Sequence, residues 1–315
     1  MSGESTVPDA AGPGPARPSR DAGVGQGAAP GAGRGPAPDA TPGTEPSPRR
    51  RAPGALIAGA VLVALVVLTA LVSLVWTPYD PVAADASQRL LSPSGAHWFG
   101  TDKFGRDVAS QLMAGSRITL VVAVVSVGIA AVIGVPLGIL AGMRRGWVEA
   151  VVLRVTDLLL AFPALLLAIV FAAVFGAGTV SAMVAIGLGT VPGIARVTRA
   201  GTLTVMQQDY IAAARSGGRG WAAVAVRHVL PNVTGVLVVQ CAVTASLAVL
   251  AEAALSYLGL GTPPPDPSWG RLVQEMQQFL SVRPLQVLFP GAAIALTVLG
   301  FNLLGDGLRQ RLNRG

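Results

Sequence analysis

Hydrophobic residues in this chain fall in long blocks separated by shorter polar stretches, and the blocks are too long to be strands. Ala55 to Trp76 is an apolar run of 22 residues, which as a helix spans roughly 33 Å, enough for the hydrocarbon core of a bilayer. Comparable runs recur at 118–141, 151–175, 180–195, 233–255 and 287–304. They are rich in Ala, Leu and Val and lack the alternation of a transmembrane β-strand. The pattern therefore predicts an all-α membrane protein with six transmembrane helices. Two of these runs carry small residues at four-residue spacing: Gly134, Gly138 and Gly142 in the second, Gly189 and Gly193 in the fourth. A stripe of that kind leaves bare backbone on one helix face, where a neighbour can approach closely. Pro136 is expected to kink the second helix, and Pro192 to weaken the inner end of the fourth.

The long polar interruption within the hydrophobic C-terminal two thirds is the loop 196–232. Leu203, Met206, Tyr210, Ile211 and Ala214 recur there at helical spacing, which predicts a short amphipathic helix. Gly217 and Gly218 end it, because glycine accepts the left-handed conformation of a helix C-terminus. Trp221, Val224 and His228 predict a second short helix leading to Leu230 and Pro231. A helix–glycine–helix element flanked by membrane spans is shaped to be gripped by a partner.

The remaining segments are polar by composition. Residues 1–50 are dominated by Gly, Pro, Ala and Ser and cannot bury enough apolar surface to offset ordering entropy, so a disordered tail is expected. Residues 77–116 form a polar segment on the far side of the first helix. Its His97, Asp102 and Asp107 sit at irregular spacing and make a poor metal site; glycine turns with local Asp/Arg pairs are the expected content. The first apolar run is too long, and starts too far into the chain, to be a signal-peptide core.

Charge then orients the chain. The 315 residues are 52% hydrophobic and 12% charged, with a net charge of +7 and a mean hydropathy of +0.60. A soluble domain carries about twice that charged fraction. Seventeen of the 23 basic residues fall on one set of alternate loops and termini, among them Arg144, Arg145, Arg215, Arg219 and Arg227. By the positive-inside rule that set is cytoplasmic, which places both termini and the loop 196–232 inside, in the plasma (inner) membrane. The basic charge is thus accounted for by topology and does not point to nucleic acid. The single cysteine, Cys241, lies in an apolar run and can build neither a disulfide nor a cysteine metal site.

Several chemistries are missing. The one lysine, Lys103, is followed by Phe104 and belongs to no phosphate-binding P-loop. The acidic residues within or beside spans, Asp157, Glu252 and Asp306, lie near helix ends, and Asp157 is expected to pair with Arg154 one turn away. His97 and His228 fall on opposite membrane sides, so no nucleophile has an organised base, and no catalytic role is expected. An ion-gradient-driven secondary transporter is the alternative, but neither an inverted repeat nor mid-membrane carboxylates stand out.

Asp209-Tyr-Ile-Ala-Ala-Ala-Arg-Ser-Gly-Gly218 through Arg227-His-Val-Leu-Pro-Asn232 resembles the "EAA" loop of binding-protein-dependent ABC importer permeases. Ala213, Ala214, Gly218, Leu230 and Pro231 match its spacing, while Ala212 stands at the glutamate position. Gly100-Thr-Asp-Lys-Phe-Gly-Arg-Asp107, Asp157-Leu-Leu-Leu-Ala-Phe-Pro163, Ala251–Gly261, Pro267–Gly270 and Asn302–Leu308 are similar to segments of the oligopeptide/dipeptide/nickel branch, second permease type. The resemblance covers about residues 55–312. It implies the type I importer permease fold, with a cytoplasmic coupling helix. The implied partners are a second homologous permease, two ABC ATPase subunits that bind ATP and Mg, and an extracytoplasmic solute-binding protein. Tyr210, Ile211, Ala214 and Trp221 are then expected to supply the grip, and Arg215, Arg219 and Arg227 to orient it.

Overall fold

The computed structural model describes residues 54–162 and 164–312; the expected N-terminal tail, residues 1–50, lies outside them. Its regular elements are helices: α1 (Gly54–Val75), α2 (Val108–Met143), α3 (Trp147–Ala161), α4 (Ala164–Phe175), α5 (Thr179–Met206), α6 (Asp209–Ser216), α7 (Trp221–Val224), α8 (Leu230–Tyr257), α9 (Trp269–Met276) and α10 (Pro284–Leu312). Among the described residues, α1, α2, α5, the continuous run 221–257 and α10 are each long and apolar enough to cross a bilayer. The expected third span, 151–175, is not one straight helix. Phe162 is extended (φ −90°, ψ 124°), as the residue before a proline prefers, and α3 and the stretch Leu165–Phe175 meet at 86°. Counted as one broken span, the pair makes six.

Two helices outrun the apolar blocks that announced them. α2 begins ten residues before Ile118, because Asp107 caps it by accepting from Ser110 N. α5 continues past Ala195 to Met206, so the polar stretch that opens the loop 196–232 is helical and belongs to α5. Both helices pass through their prolines, Pro136 and Pro192, without ending.

The centre of the bundle is the seam between α2 and α5. A methyl added at Gly138 would lie 2.5 Å from the carbonyl oxygen of Ala195 and from Thr198 Cβ, and one at Gly142 would lie 2.6 Å from Thr202 Cβ. At Gly134 the nearest atoms are Val191 O at 3.0 Å and Ile194. Only glycine fits where backbones approach this closely. The hydroxyls of Thr198 and Thr202, fully buried in the seam, donate back to the carbonyls of Ile194 and Thr198, which satisfies them without a partner helix. On α5, close approach is made at Gly187, beneath Ile129 of α2, a glycine the four-residue spacing did not single out. Gly189 and Gly193 are half-buried, and at Gly193 the nearest neighbour is Gln240 Nε2, 3.4 Å from where a methyl would sit.

The end of the bundle formed by residues 76–107 and 258–283 is held by buried polar contacts. Asp102 accepts from Phe104 N, Arg106 N, Arg106 Nε at 2.6 Å and Gln111 Nε2. Arg106 in turn reaches Glu275 of α9 at 2.8 Å, and Arg271 closes the chain on the same carboxylate at 3.0 Å. His97 bridges Asp107 (2.9 Å) and Gln88 (2.7 Å). This is a structural knot, and among the described residues no cluster could hold a metal ion. Gly105 is needed twice over: its φ is +79°, and a methyl there would collide with the Asp85 carbonyl. Asp85 itself is kept below the ordinary carboxylate range by hydrogen bonds from the Ser87 side chain and backbone and from Gln88.

Gly138→Leu is expected to overpack the α2–α5 seam by about 1–3 kcal/mol, lowering the melting temperature in detergent. Gly128→Ala, whose methyl meets nothing within 4 Å, should change stability by no more than about 1 kcal/mol. Thermal unfolding of the two variants side by side checks this.

Candidate functional site: the loop between α5 and α8

α5 stops at Met206, where the N–H of Gln207 turns back to Thr204, and after Gln208 the chain re-enters a helix as α6. The predicted amphipathic helix is therefore divided: Leu203 and Met206 belong to α5, and the helix that projects is the eight-residue α6. Its C-terminus is a Schellman arrangement. Gly218 N–H donates to Arg215 O, Arg219 N–H to Ala214 O, and Gly218 takes φ +80°. Gly217 keeps a negative φ of −75°, so Gly218 alone carries the left-handed turn.

The second predicted helix does not stop at Pro231. α7 runs into a π-helical turn, Ala225–Val229, and from there into α8. Pro231 has no N–H, and its ring crowds the preceding turn of an α-helix. The wider π turn, in which Leu230 N–H donates to Ala225 O, lets the helix continue through it. Trp221 and Tyr257 thus lie on one continuous helical run.

The structure divides the expected grip residues into two groups. Ile211 is 1% exposed; it points inward, into a core cluster with Val205, Val224, Val229 and Val233. It is an anchor, and the assignment of Ile211 to the outer contact face is corrected. Tyr210 (44% exposed) and Trp221 (39%) remain at the surface, with Ala213, Arg215, Gly217, Gly218 and Arg227 exposed, and with Ala214, His228 and Leu230 half-buried. Pro231 is exposed and Leu230 packs against the same core cluster as Ile211.

Side chains brace the two halves of the loop. The Arg215 guanidinium lies 4.3 Å over the Trp221 ring across the glycine turn, an exposed cation–π contact of about 0.5–1 kcal/mol. The rings of Tyr210 and His228 are 6.0 Å apart, and Arg219 Nη1 lies 3.4 Å from His228 Nε2. A guanidinium can only donate, so that hydrogen bond requires a neutral imidazole with its lone pair on Nε2.

Two ion pairs at this end escaped the sequence reading. Asp157 pairs with Arg196 of α5 at 2.6 Å, not with Arg154 on its own helix. Glu149 of α3 pairs with Arg199, with Arg199 Nε 3.0 Å from the carboxylate. Both tie α3 to the part of α5 that leads into α6. The partners lie 39 and 50 residues apart, so no local spacing could have signalled them.

These features define a polytopic α-helical membrane protein with a short, internally braced helix projecting between two of its spans. Residues 134–315 match the family model described as "Binding-protein-dependent transport system inner membrane component". The chain is 39% identical over 258 residues to the glutathione transport system permease protein GsiD of Pectobacterium atrosepticum, covering 82% of this chain and 86% of that protein. It is 37% identical over 257 residues to the dipeptide transport system permease protein DppC of Alkalihalophilus pseudofirmus, covering 82% and 84%. The fold is similar to a chain of the MetNI methionine ABC transporter, with a TM-score of 0.54, 20% identity, and coverage of 65% of this chain and 95% of that one. The chain belongs to the family of binding-protein-dependent transport system inner membrane components: it is a non-catalytic, multi-pass permease subunit of an ABC importer.

Ile211→Ala should release α6 from the bundle, since emptying a buried aliphatic site costs about 2–5 kcal/mol. Hydrogen exchange measured by mass spectrometry is expected to accelerate across 209–219 while α8 stays protected.

Proposed function

We propose that this chain is the second-type permease of a peptide importer, forming half of the transmembrane path beside a second homologous permease. Two ATPase subunits, which bind ATP and Mg, work beneath it, and a solute-binding protein delivers substrate from outside. The substrate reading is supported by the relatives, whose names specify glutathione and dipeptide transport: both solutes are short peptides with a free amino group, a carboxylate and amide bonds. The distribution of arginines supports an orientation with both termini and α6 on the cytoplasmic side, and the N-terminal tail with them.

The observation that carries the coupling role is the construction of α6. One side is anchored through Ile211, and the other presents Tyr210, Ala212, Ala213, Arg215 and Ser216 to solvent. Small side chains at Ala212 and Ala213 leave a flat strip that an ATPase groove can accept by shape, with no carboxylate at the position where the family pattern has glutamate. Force on α6 passes through Ile211 to Val205 of α5 and to Val224, Val229 and Val233 of the run ending in α8. A docked short helix can thereby act as a rigid lever on two spans.

Ala213→Arg should lower recovery of the ATPase subunits with the tagged permease at least tenfold, about 1.4 kcal/mol of binding, while membrane insertion is unaffected. Co-purification and peptide uptake measured on the same membranes test this; uptake at the unmodified level would defeat the lever.

A further inference from the structure

Gln240 is an amide inside the membrane-spanning part of α8. It lies seven residues beyond Val233, about 10 Å along the helix, and seventeen before Tyr257, about 26 Å from the far end. Apolar side chains surround it in sequence, from Val236 to Val239 and from Ala242 to Val243. Several other polar side chains of α8 bond within the chain: Thr234 donates to Leu230 O, Ser246 to Val243 O, and Ser256 to Glu252, whose second carboxylate oxygen, nearer the other end of the helix, is buried without a partner. Among the described residues Gln240 makes no side-chain hydrogen bond, and it is half-buried. An amide left unmet against lipid is costly, so such a residue faces water, a solute or another subunit.

The surroundings favour the first two. Gln240 lines a recess of about 380 Å³ between the inner parts of α5, α8 and α10, together with Val197, Val236, Val239, Arg309 and Leu312. The carboxamide lies beside Gly193 of α5, where the missing side chain leaves the space open. We propose that Gln240 is a substrate-contact residue of the translocation path, whose carboxamide hydrogen-bonds the backbone amides of a short peptide in passage. This rests on the peptide-importer reading above. The chemistry matches: a carboxamide has N–H donors for the carbonyl of a peptide bond and a carbonyl acceptor for its N–H. It carries no charge, so it orients a zwitterionic peptide without trapping either end. Arg309, exposed in the last turn of α10, lines the same recess and would meet the carboxylate of the passing peptide.

The test is uptake of radiolabelled glutathione and alanyl-alanine by the complete importer, with its binding protein, reconstituted in liposomes. Loss of one hydrogen bond to the passing solute predicts that Gln240→Leu slows uptake of both about fivefold, with all subunits still co-purifying, and that Gln240→Asn restores most of the rate. Uptake unchanged in Gln240→Leu overturns the proposal. So does a loss of the second permease from the purified Gln240→Leu complex, which would make the amide an intersubunit bond. If the unmodified complex assembles yet carries neither peptide, the peptide reading itself falls, and this inference with it.

Discussion

The close approach of α2 and α5 is the constraint on which the rest depends. Lipid tails are as apolar as the side chains they would replace, so helix association in a bilayer draws its stability from contact at short range more than from burial. Gly134, Gly138 and Gly142 allow that contact along three turns of α2, and Ala195, Thr198, Arg199 and Thr202 fill the other side. Every residue named on α5 in that seam lies at or before the point where the chain leaves for α6. The seam therefore fixes the position and direction of the strut from which the projecting helix hangs.

From this strut the loop is built by local rules that agree with one another. Gly218 turns the chain at the end of α6, Ile211 and Val224 sink into one cluster, and the π turn carries the helix past Pro231 into α8. A helix held in this way moves with α5 and α8 or does not move at all. The ion pairs Asp157–Arg196 and Glu149–Arg199 join α3 to the same strut. The first pair is exposed and the second half-buried, and pairs this open to solvent contribute little stability, typically below about 1 kcal/mol each; their value here is geometric, since they set where α3 meets α5.

The opposite end uses different chemistry for a related purpose. Asp102, Arg106, Glu275 and Arg271 are largely shielded from solvent and share their charges in a chain. Removing one member would strand its neighbour, and breaking a buried pair costs more than forming it gained. Trp269 adds a tie from α9 to α2, its indole N–H donating to Leu112 O at 2.9 Å over Gly115. The family-like segments 100–107 and 267–270, far apart in sequence, are thus two sides of one joint.

Apolar run length and turn glycines sufficed to read the helical membrane class, five of the six spans as single helices and the glycine turn at the end of α6, because each depends on properties local to about 20 residues. The same locality set the limits. The expected grip grouped Ile211 with Tyr210 of the same short helix and with Trp221 of the next, since all three are apolar, yet only the packed structure decides which side of each helix meets the bundle. Sequence spacing could not foresee that α5 runs on through Arg196 and Arg199, because those charges find Asp157 and Glu149 on a helix 39 and 50 residues earlier. Nor could it foresee that Pro231 lies within a continuous helix, because the π turn that absorbs the proline is a feature of backbone geometry with no side-chain signature. The chain alone determined which stretches are apolar helix and where glycine turns them; where each helix ends, and which surfaces face each other, was settled by contacts between residues distant in sequence, which only the tertiary fold brings together.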